Sequence, residues 1–198
     1  MKTTIKLCAA IFVVANVTSV YSIETSVKVN LGVEHTDNSN KTETNEVSDT
    51  KQHAGLDVDL KHDGQNVQAE LSYNFERSNY KDNTQDDRTA ISGDLKVTLE
   101  PIKESLFIHI DSSTRNIVSD KGAVDVSDNR ENKTITSISP EWALRLSAAD
   151  QLNLSLSYTD IQFEESNNDS DRSGASGRWQ RQRSKIDVLT AEVNYSDI

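Results

Sequence analysis

Apolar and polar residues alternate along most of the chain, and the alternation is clearest between residues 138 and 158. The apolar positions there are Ile138, Trp142, Leu144, Leu146, Leu152, Leu154, Leu156 and Tyr158. Successive side chains of a strand point to opposite faces, so a period of two predicts strands. The polar connection over 147–151 has the length of a hairpin turn. The stretch therefore predicts a β-hairpin with one apolar and one polar face.

The same alternation predicts strands in the rest of the chain. The predicted strands cover 26–34, 53–62, 65–80, 91–99, 106–115, 138–146, 152–158 and 172–183, and a ninth begins near Leu189. Asp63-Gly64 predicts a tight hairpin turn, because glycine tolerates a positive φ. Ile161 and Phe163 break the alternation set by Tyr158, which predicts a β-bulge near Asp160.

Connections between the predicted strands alternate strictly in length. The short ones lie at Asp63, Pro101, Ala148 and Ser184. The long, polar ones lie at His35, Lys81, Ile117 and Glu164. Transmembrane β-barrels have short turns at one end, longer loops at the other, and strands that alternate apolar-out with polar-in. The sequence therefore predicts an all-β fold, an antiparallel up-and-down transmembrane β-barrel with about 8–9 strands.

Nine strands would be an odd number, whereas single-chain bacterial barrels have an even number. Three explanations are open: the count is off by one, the chain is the N-terminal part of a larger barrel, or the barrel closes by oligomerising. We favour an incomplete barrel.

The composition allows a second interpretation. The chain of 198 residues is 34% hydrophobic and has a net charge of −11, which is often typical of disorder. Regular alternation argues against disorder, because disordered segments have no such period. The alternative is a secreted soluble β-sandwich, an adhesin or carbohydrate-binding protein, whose apolar face would be an internal core.

Residues 1–22 have the pattern of a secretory signal peptide. Lys2 and Lys6 form a basic start, 7–17 an apolar run, and 20–22 a small-residue cleavage site. The run is shorter than the roughly 20 residues that a membrane anchor needs. Cys8 lies inside this segment, so the mature chain, 23–198, would have no cysteine and no disulfide.

Five aromatic residues are candidates for the two belts that barrels carry at the membrane interfaces. Trp142 and Trp179 lie near the short-turn end of their strands, and Phe75, Tyr158 and Tyr195 lie towards the long-loop end. All five share the apolar parity of their strands. The competing interpretation makes them core aromatics of a soluble sandwich.

Charged residues of both signs occupy the opposite, polar parity. The candidate lumen-facing residues are Glu70, Asp94, Lys96, His109, Asp111, Arg145 and Glu192. In a narrow barrel such charges pair and fill the interior, whereas in a wider one they line an aqueous path. The sequence leaves the choice between plug and pore open.

The sequence gives only weak indications of metal binding or nucleic-acid binding. Asp169–Gly174 begins like a calcium loop, but position 12 would be Gln180 instead of glutamate. The four histidines lack metal-ligand spacing. The basic cluster near Arg178 occurs in a chain of charge −11, which argues against nucleic acid. We predict no catalytic residue, metal or cofactor, no enzymatic activity and no nucleic-acid partner.

Four segments support a family resemblance. They are GVEHTDN at 32–38, YNFER at 73–77, LSYTD at 156–160 and EVNYSD at 192–197. Together they resemble the outer-membrane β-barrels encoded with exopolysaccharide export systems, the PEP-CTERM/EpsL-like group. The resemblance lies in repeated strand-and-loop units over most of the mature chain. It implies a porin-like Gram-negative outer-membrane protein in polysaccharide export or attachment, with outer-membrane lipid, polysaccharide or export-machinery proteins as partners.

Overall fold

A computed structural model describes residues 23–197 and, as backbone, the segment Lys6–Val13. In these residues the chain forms ten strands. They are β1 (Lys6–Val13), β2 (Ile23–Thr36), β3 (Asp49–Asp63), β4 (Val67–Tyr80), β5 (Arg88–Ile102), β6 (Leu106–Val118), β7 (Arg130–Arg145), β8 (Asp150–Phe163), β9 (Ser170–Gln182) and β10 (Val188–Asp197). One short 3-10 turn, Ser127–Asn129, precedes β7.

All the strands belong to one antiparallel sheet in which each strand pairs with its neighbours in sequence. Nine of them lie in 23–197, and the sheet is not closed, since β10 pairs only with β9. The all-β, up-and-down architecture is therefore confirmed, including the expectation that closure is incomplete. The described residues form no second sheet, so they contain no sandwich core.

Except for β4, which begins two residues later than predicted, the strands are longer than the alternation predicted, and their order and connections agree with it. The short connections are 64–66, 103–105, 146–149 and 183–187. The long ones are 37–48, 81–87, 119–129 and 164–169. We call these the short turns and the long loops. The predicted leader, 1–22, is described only at β1, which pairs with β2, and its cleavage stays a prediction.

The predicted bulge near Asp160 is absent. The β7–β8 register passes through Ile135↔Ile161 and Lys133↔Phe163 without a shift. Ile161 and Phe163 therefore lie on the polar face, where Ile161 is buried and Lys133 Nζ lies 5.0 Å from the Phe163 ring centroid. The one register shift of the described sheet lies between Leu99 and Ile102, beside Pro101, which cannot donate to the ladder.

The turn at Asp63-Gly64 forms, but not for the predicted reason. Gly64 has a negative φ; the positive-φ residues of the described chain are Lys41, Asn45, Asn83 and Glu104. A Cβ on Gly64 would lie 2.9 Å from the carbonyl oxygen of Val67. Glycine is required there for a close backbone approach, not for a left-handed conformation.

The sheet has one apolar face and one polar face, and the apolar face is uncovered. Ile161, on the polar face, is the one buried hydrophobic residue in the described chain. Apolar-face side chains such as Leu31, Ile138 and Leu156 are 43–49% exposed. The total exposed surface is 13813 Å², against roughly 9,000 Å² for a compact globular protein of this size.

Successive strands are staggered, and the aromatic residues follow the stagger. One row of paired residues runs through Ala69, Val97, Ile110, Ile138 and Tyr158. Phe75 lies six residues beyond Ala69 on β4. Tyr195 belongs to the row of Leu156, two residues before Tyr158. The line Phe75–Tyr158–Tyr195 therefore descends about 1.3 residues per strand towards the short turns.

Candidate functional site

All seven candidate lumen-facing residues lie at positions of the polar face. Three of them, Glu70, Lys96 and Asp111, are directly opposite one another on β4, β5 and β6. Lys61 and Glu24 extend the same row onto β3 and β2. The charges of this row alternate in sign over five strands. Opposite charges placed directly across a sheet stabilise it by roughly 0.2–1 kcal/mol a pair, so the row favours this register.

Two further carboxylates of the polar face, Asp57 and Asp94, are held by neutral and cationic donors. Asp57 accepts hydrogen bonds from Asn30 Nδ2 at 2.9 Å and Asn74 Nδ2 at 2.6 Å. Arg115 Nη2 donates to both oxygens of Asp94 at 2.8 Å. Asp57, Asn74, Asp94 and Arg115 line a recess of about 450 Å³. Each of these four side chains is already engaged with another residue of the sheet.

The remaining three candidates are separated from these rows. His109 Nδ1 is 3.2 Å from Thr98 Oγ1. Glu192 pairs with Arg178 on β9, with N–O distances of 2.9 and 2.8 Å. Arg145 is exposed at the short-turn end of β7. The polar face is therefore a series of small local pairs without a single centre.

The five candidate belt residues lie at positions of the apolar face. Phe75, Tyr158 and Tyr195 are 38%, 45% and 63% exposed. Trp142 and Trp179 are half-buried. On the strand between them, β8, Trp142 is opposite Leu154 and Trp179 is opposite Leu152, so their levels differ by two residues. The tryptophan pair thus follows a line nearly parallel to that of the other three aromatics.

The long loops are joined to one another by a polar network that the sequence did not predict. Gln85, in the β4–β5 loop, donates to the carbonyl oxygen of Ser39 at 2.6 Å and accepts from Ser127 N–H at 2.6 Å. It thereby connects loops that lie 46 and 42 residues away along the chain. Ser39 and Gln85 are buried. We call this set of inter-loop contacts the loop network.

Asp49, the first residue of β3, anchors the network. It is fully buried and accepts hydrogen bonds from the backbone N–H of Thr50, Asp82 and Thr84 and from Thr84 Oγ1. Burial by itself raises the pKa of Asp49, but the hydrogen bond from the Thr84 side chain and those from the three N–H groups outweigh burial and lower it to about 2. Asp49 is therefore a charged, fully bonded support of two loops.

Two neighbouring residues at the start of β7 extend the network to the β8–β9 loop. Glu131 accepts from the N–H groups of Glu165 and Ser166 at 3.3 and 2.9 Å. Asn132 acts like a strand partner for β5, since its side chain accepts from Ile91 N–H and donates to the Thr89 carbonyl, both at 3.1 Å. The regular β5–β6 pairing ends at Gly93↔Thr114. Asn132 thus satisfies backbone groups that β6 leaves.

Under the loop network lies a cavity of about 330 Å³, which we call the loop chamber. Its charged lining consists of Lys41, Lys51, Glu76, Arg88, Asp125 and Arg130. Arg130 donates to both oxygens of Asp125 at 2.6 and 2.8 Å, and Lys51 Nζ is 3.3 Å from Glu76 Oε1. The hydrogen bond from Arg130 holds the pKa of Asp125 below its usual range. The chamber offers charged and amide groups for non-covalent binding.

The sequence predicted the long connections only as polar loops, and it did not predict that they bond to one another. A signal was present in the density of Asn, Asp, Ser and Thr residues at 36–50 and 81–87. Such side chains cap backbone groups in turns. That signal identifies ordered turns, but it does not identify which loops join.

No protein-family model, curated protein or solved structure matches the chain. In the described part of the chain, no helix has the length and apolar character needed to cross a membrane. Among the same residues, no group of three or more histidine, cysteine, aspartate or glutamate side chains is placed to hold a metal ion.

Proposed function

We propose that the protein is a non-enzymatic outer-membrane β-barrel that serves as an export-channel component or surface scaffold. Exopolysaccharide is the cargo that the family resemblance implies. The observation that carries the proposal is the uncovered apolar face of a single, long-stranded sheet. Outer-membrane lipid is then the partner of that face. Polysaccharide or export-machinery proteins would meet the polar face and the loops.

The exposed surface supports a lipid environment. At roughly 25 cal/mol per Å², leaving an apolar face in water forfeits most of the hydrophobic stabilisation of folding. Patches above a few hundred Å² are rare on soluble monomers and mark sites of association. The apolar face extends over nine strands, so it needs a continuous apolar covering, which a bilayer supplies.

The stagger of the sheet supports a barrel geometry. With about 3.3 Å per residue and about 4.8 Å between strands, a fall of about 1.3 residues per strand corresponds to a tilt of about 42°. Transmembrane barrels tilt their strands by about 35–45°. At that tilt the apolar run of β4 from Val67 to Phe75 rises about 20 Å, close to the roughly 25 Å apolar band of such barrels.

The charge distribution supports an orientation. The four long loops carry a net charge of −9, and the four short turns +1. In bacterial barrels the short turns face the periplasm and the longer loops the exterior. The acidic long-loop end, whose loops are joined by hydrogen bonds, would then face the outside of the cell.

Detergent partition and gel migration test this function. The mature chain, refolded in detergent, should partition into the detergent phase with strand content by circular dichroism. A different apparent mass before and after boiling would show a barrel that closes within these residues, whereas aggregation with and without detergent would indicate an incomplete barrel with an unpaired edge. Solubility without detergent, with strand content intact by circular dichroism, would instead favour a secreted protein and overturn the proposal.

Localisation is tested separately. Expression of the full chain in a Gram-negative host should place it in the outer-membrane fraction, with Ile23 as its first residue by N-terminal sequencing. A chain that keeps Met1 and remains in the cytoplasm would contradict the leader and the location together.

A further inference from the structure

We propose that the loop chamber is a binding site for a small hydroxylated carboxylate, the chemistry of a sugar acid. The site goes beyond the barrel function proposed above. Under that function the ligand would be one acidic unit of a polysaccharide. Binding of a single unit depends only on the loops and on β3–β7, so it can be measured whatever the protein's role.

The charged lining carries an excess of cations. Four basic side chains face two acidic ones, in a chain whose net charge is −11. The two acidic residues are already taken by Lys51 and Arg130. Lys41 and Arg88 bond to neither of these two carboxylates, so they are the cations through which the chamber can hold an anion.

Lys41 and Arg88 converge on one segment of the β6–β7 loop. Lys41 Nζ donates to the carbonyl oxygen of Asp125, and Arg88 Nη1 donates to that of Ser127 at 3.4 Å. A carbonyl oxygen carries no net charge, so these two bonds leave both positive charges in place; Arg88 is in addition ion-paired with Glu164 and Glu165. Lys41 also has a φ of 52°, an uncommon left-handed conformation for a residue with a side chain, so its position is fixed by the surrounding loop.

Arg88 keeps a donor available for a carboxylate. Its Nη1 and Nη2 contact single oxygens of Glu165 and Glu164 at 3.2 and 3.4 Å, outside the chamber lining. Its Nε is buried and has no hydrogen-bond partner. Arg88 is one of the lining residues of the chamber, and an unpaired guanidinium nitrogen is a donor that a carboxylate reaching it would satisfy. Arginine binds planar carboxylates through two adjacent N–H groups.

The rest of the lining suits hydroxyl groups. Asn116, Ser78, Gln85 and Tyr80 are the amide and hydroxyl residues of the lining, and Ala90 and Val126 add small apolar surface. The Gln85 amide already bonds to Ser39 and Ser127, which holds the wall in place. Amides and hydroxyls both donate and accept, as sugar hydroxyls do. A cavity of about 330 Å³ is at the lower end of ligand sites and accommodates one monosaccharide unit.

Isothermal titration of the detergent-refolded mature protein with sodium glucuronate tests the site. Glucuronate should bind, and glucose and sodium acetate should each bind at least roughly fivefold more weakly, because each lacks one of the two chemistries. Lys41→Gln should weaken glucuronate binding roughly fivefold, and Lys41→Gln with Arg88→Gln should abolish it. Lys121→Gln is the matched control, since Lys121 is an exposed lysine of another long loop, the β6–β7 loop, and lies outside the lining.

Three results would overturn the site. They are absence of heat with glucuronate at millimolar concentration, equal affinity for glucose, and a loss in Lys121→Gln as large as in Lys41→Gln. Circular dichroism and heat-modified migration of each variant keep misfolding apart from lost binding. Those measurements report on the barrel itself, so failure of the site and failure of the proposed function are distinguishable.

Discussion

The long-loop end and the last strand, β10, differ in the burial of their side chains. The buried polar residues lie in the long loops or in the halves of the strands that lead to them. They are Ser39, Asp49, Ser78, Gln85, Thr114, Glu131 and Asn132. In β10, by contrast, all ten residues are exposed, with Val193 at 74% and Tyr195 at 63%.

The difference indicates where this fold obtains its order. The described chain has almost no hydrophobic core, so its packed part is a set of hydrogen-bonded loops at one end. Hydrogen bonds are directional and local, and each contributes only about 1 kcal/mol net. The network can therefore fix the loops and the strands beneath them, while the edge strand β10, which pairs only with β9, depends on one ladder alone.

The largest expected effect separates these two regions directly. Amides of β10 that pair with β9 should exchange with deuterium at least roughly 100-fold faster than amides of β4 that pair with β3 and β5. Mass-spectrometric hydrogen exchange of the detergent-refolded protein measures both. Equal protection would mean that another strand or another chain covers β10.

Removing the central support of the loop network should give the next largest effect. Asp49→Ala leaves three backbone N–H groups and Thr84 without their acceptor, and we expect a loss of at least about 2 kcal/mol of unfolding free energy. Guanidinium unfolding followed by circular dichroism measures it. Asp171→Ala, at an exposed strand position, is the control and should change stability by less than about 0.5 kcal/mol. A similar loss in both variants would contradict a special role for Asp49.

Two glycines of the sheet differ in the space that surrounds them, and this difference extends the comparison to positions within the strands. A Cβ on Gly93 would lie 2.3 Å from the Ser72 carbonyl oxygen and 2.6 Å from Tyr73 Cγ, whereas one on Gly177 would meet Leu154 Cδ2 at 3.5 Å. Gly93→Ala should therefore cost about 1–3 kcal/mol through overpacking, and Gly177→Ala should be nearly neutral. The same unfolding experiment compares them. Equal midpoints would mean that the β4–β5 contact relaxes freely.

The smallest of these effects is the loss of loop stability in acid, which should be absent near neutral pH. The pKa of Asp49 is about 2 in the folded protein and 3.8 in its ordinary state. Because the folded value is the lower one, its stabilisation is fully present above pH ~4 and is lost as the pH falls from about 4 to 2. Loop opening, measured by NMR as amide exchange rates divided by the intrinsic rate at each pH, should stay constant from pH 7 to 5 and rise below 4. Asp49→Asn should lack that rise, and its persistence there would assign it to other carboxylates.

The sequence predicted the sheet because strand alternation is a local property. A run that alternates with period two, such as Leu152–Tyr158, predicts both a strand and which of its residues lie on the apolar face. The same logic placed Glu70, Lys96 and Asp111 on the polar face, and register then made them neighbours. Local alternation cannot predict a hydrogen bond such as that between Gln85 and Ser127, because it joins loops 42 residues apart along the chain.

The errors have the same origin. Ile161 broke the alternation and suggested a bulge, yet the strand continues and Ile161 is opposite Ile135 on the polar face. An apolar pair inside a polar face is a long-range arrangement, invisible in one strand. Gly64 suggested a positive φ from its type, but its use is the close approach to Val67.

The count of strands in 23–197 has a consequence for direction. With nine consecutive antiparallel strands, β2 and β10 both run from the short turns to the long loops. Joined edge to edge, they would form a parallel ladder, whose hydrogen bonds are slanted and slightly less stable per residue. A strand that fills the seam with antiparallel bonds on both sides must descend from the loop end, with alternate apolar residues facing lipid. β1 already has that direction on β2, so the seam has a defined polarity that any closing segment must match.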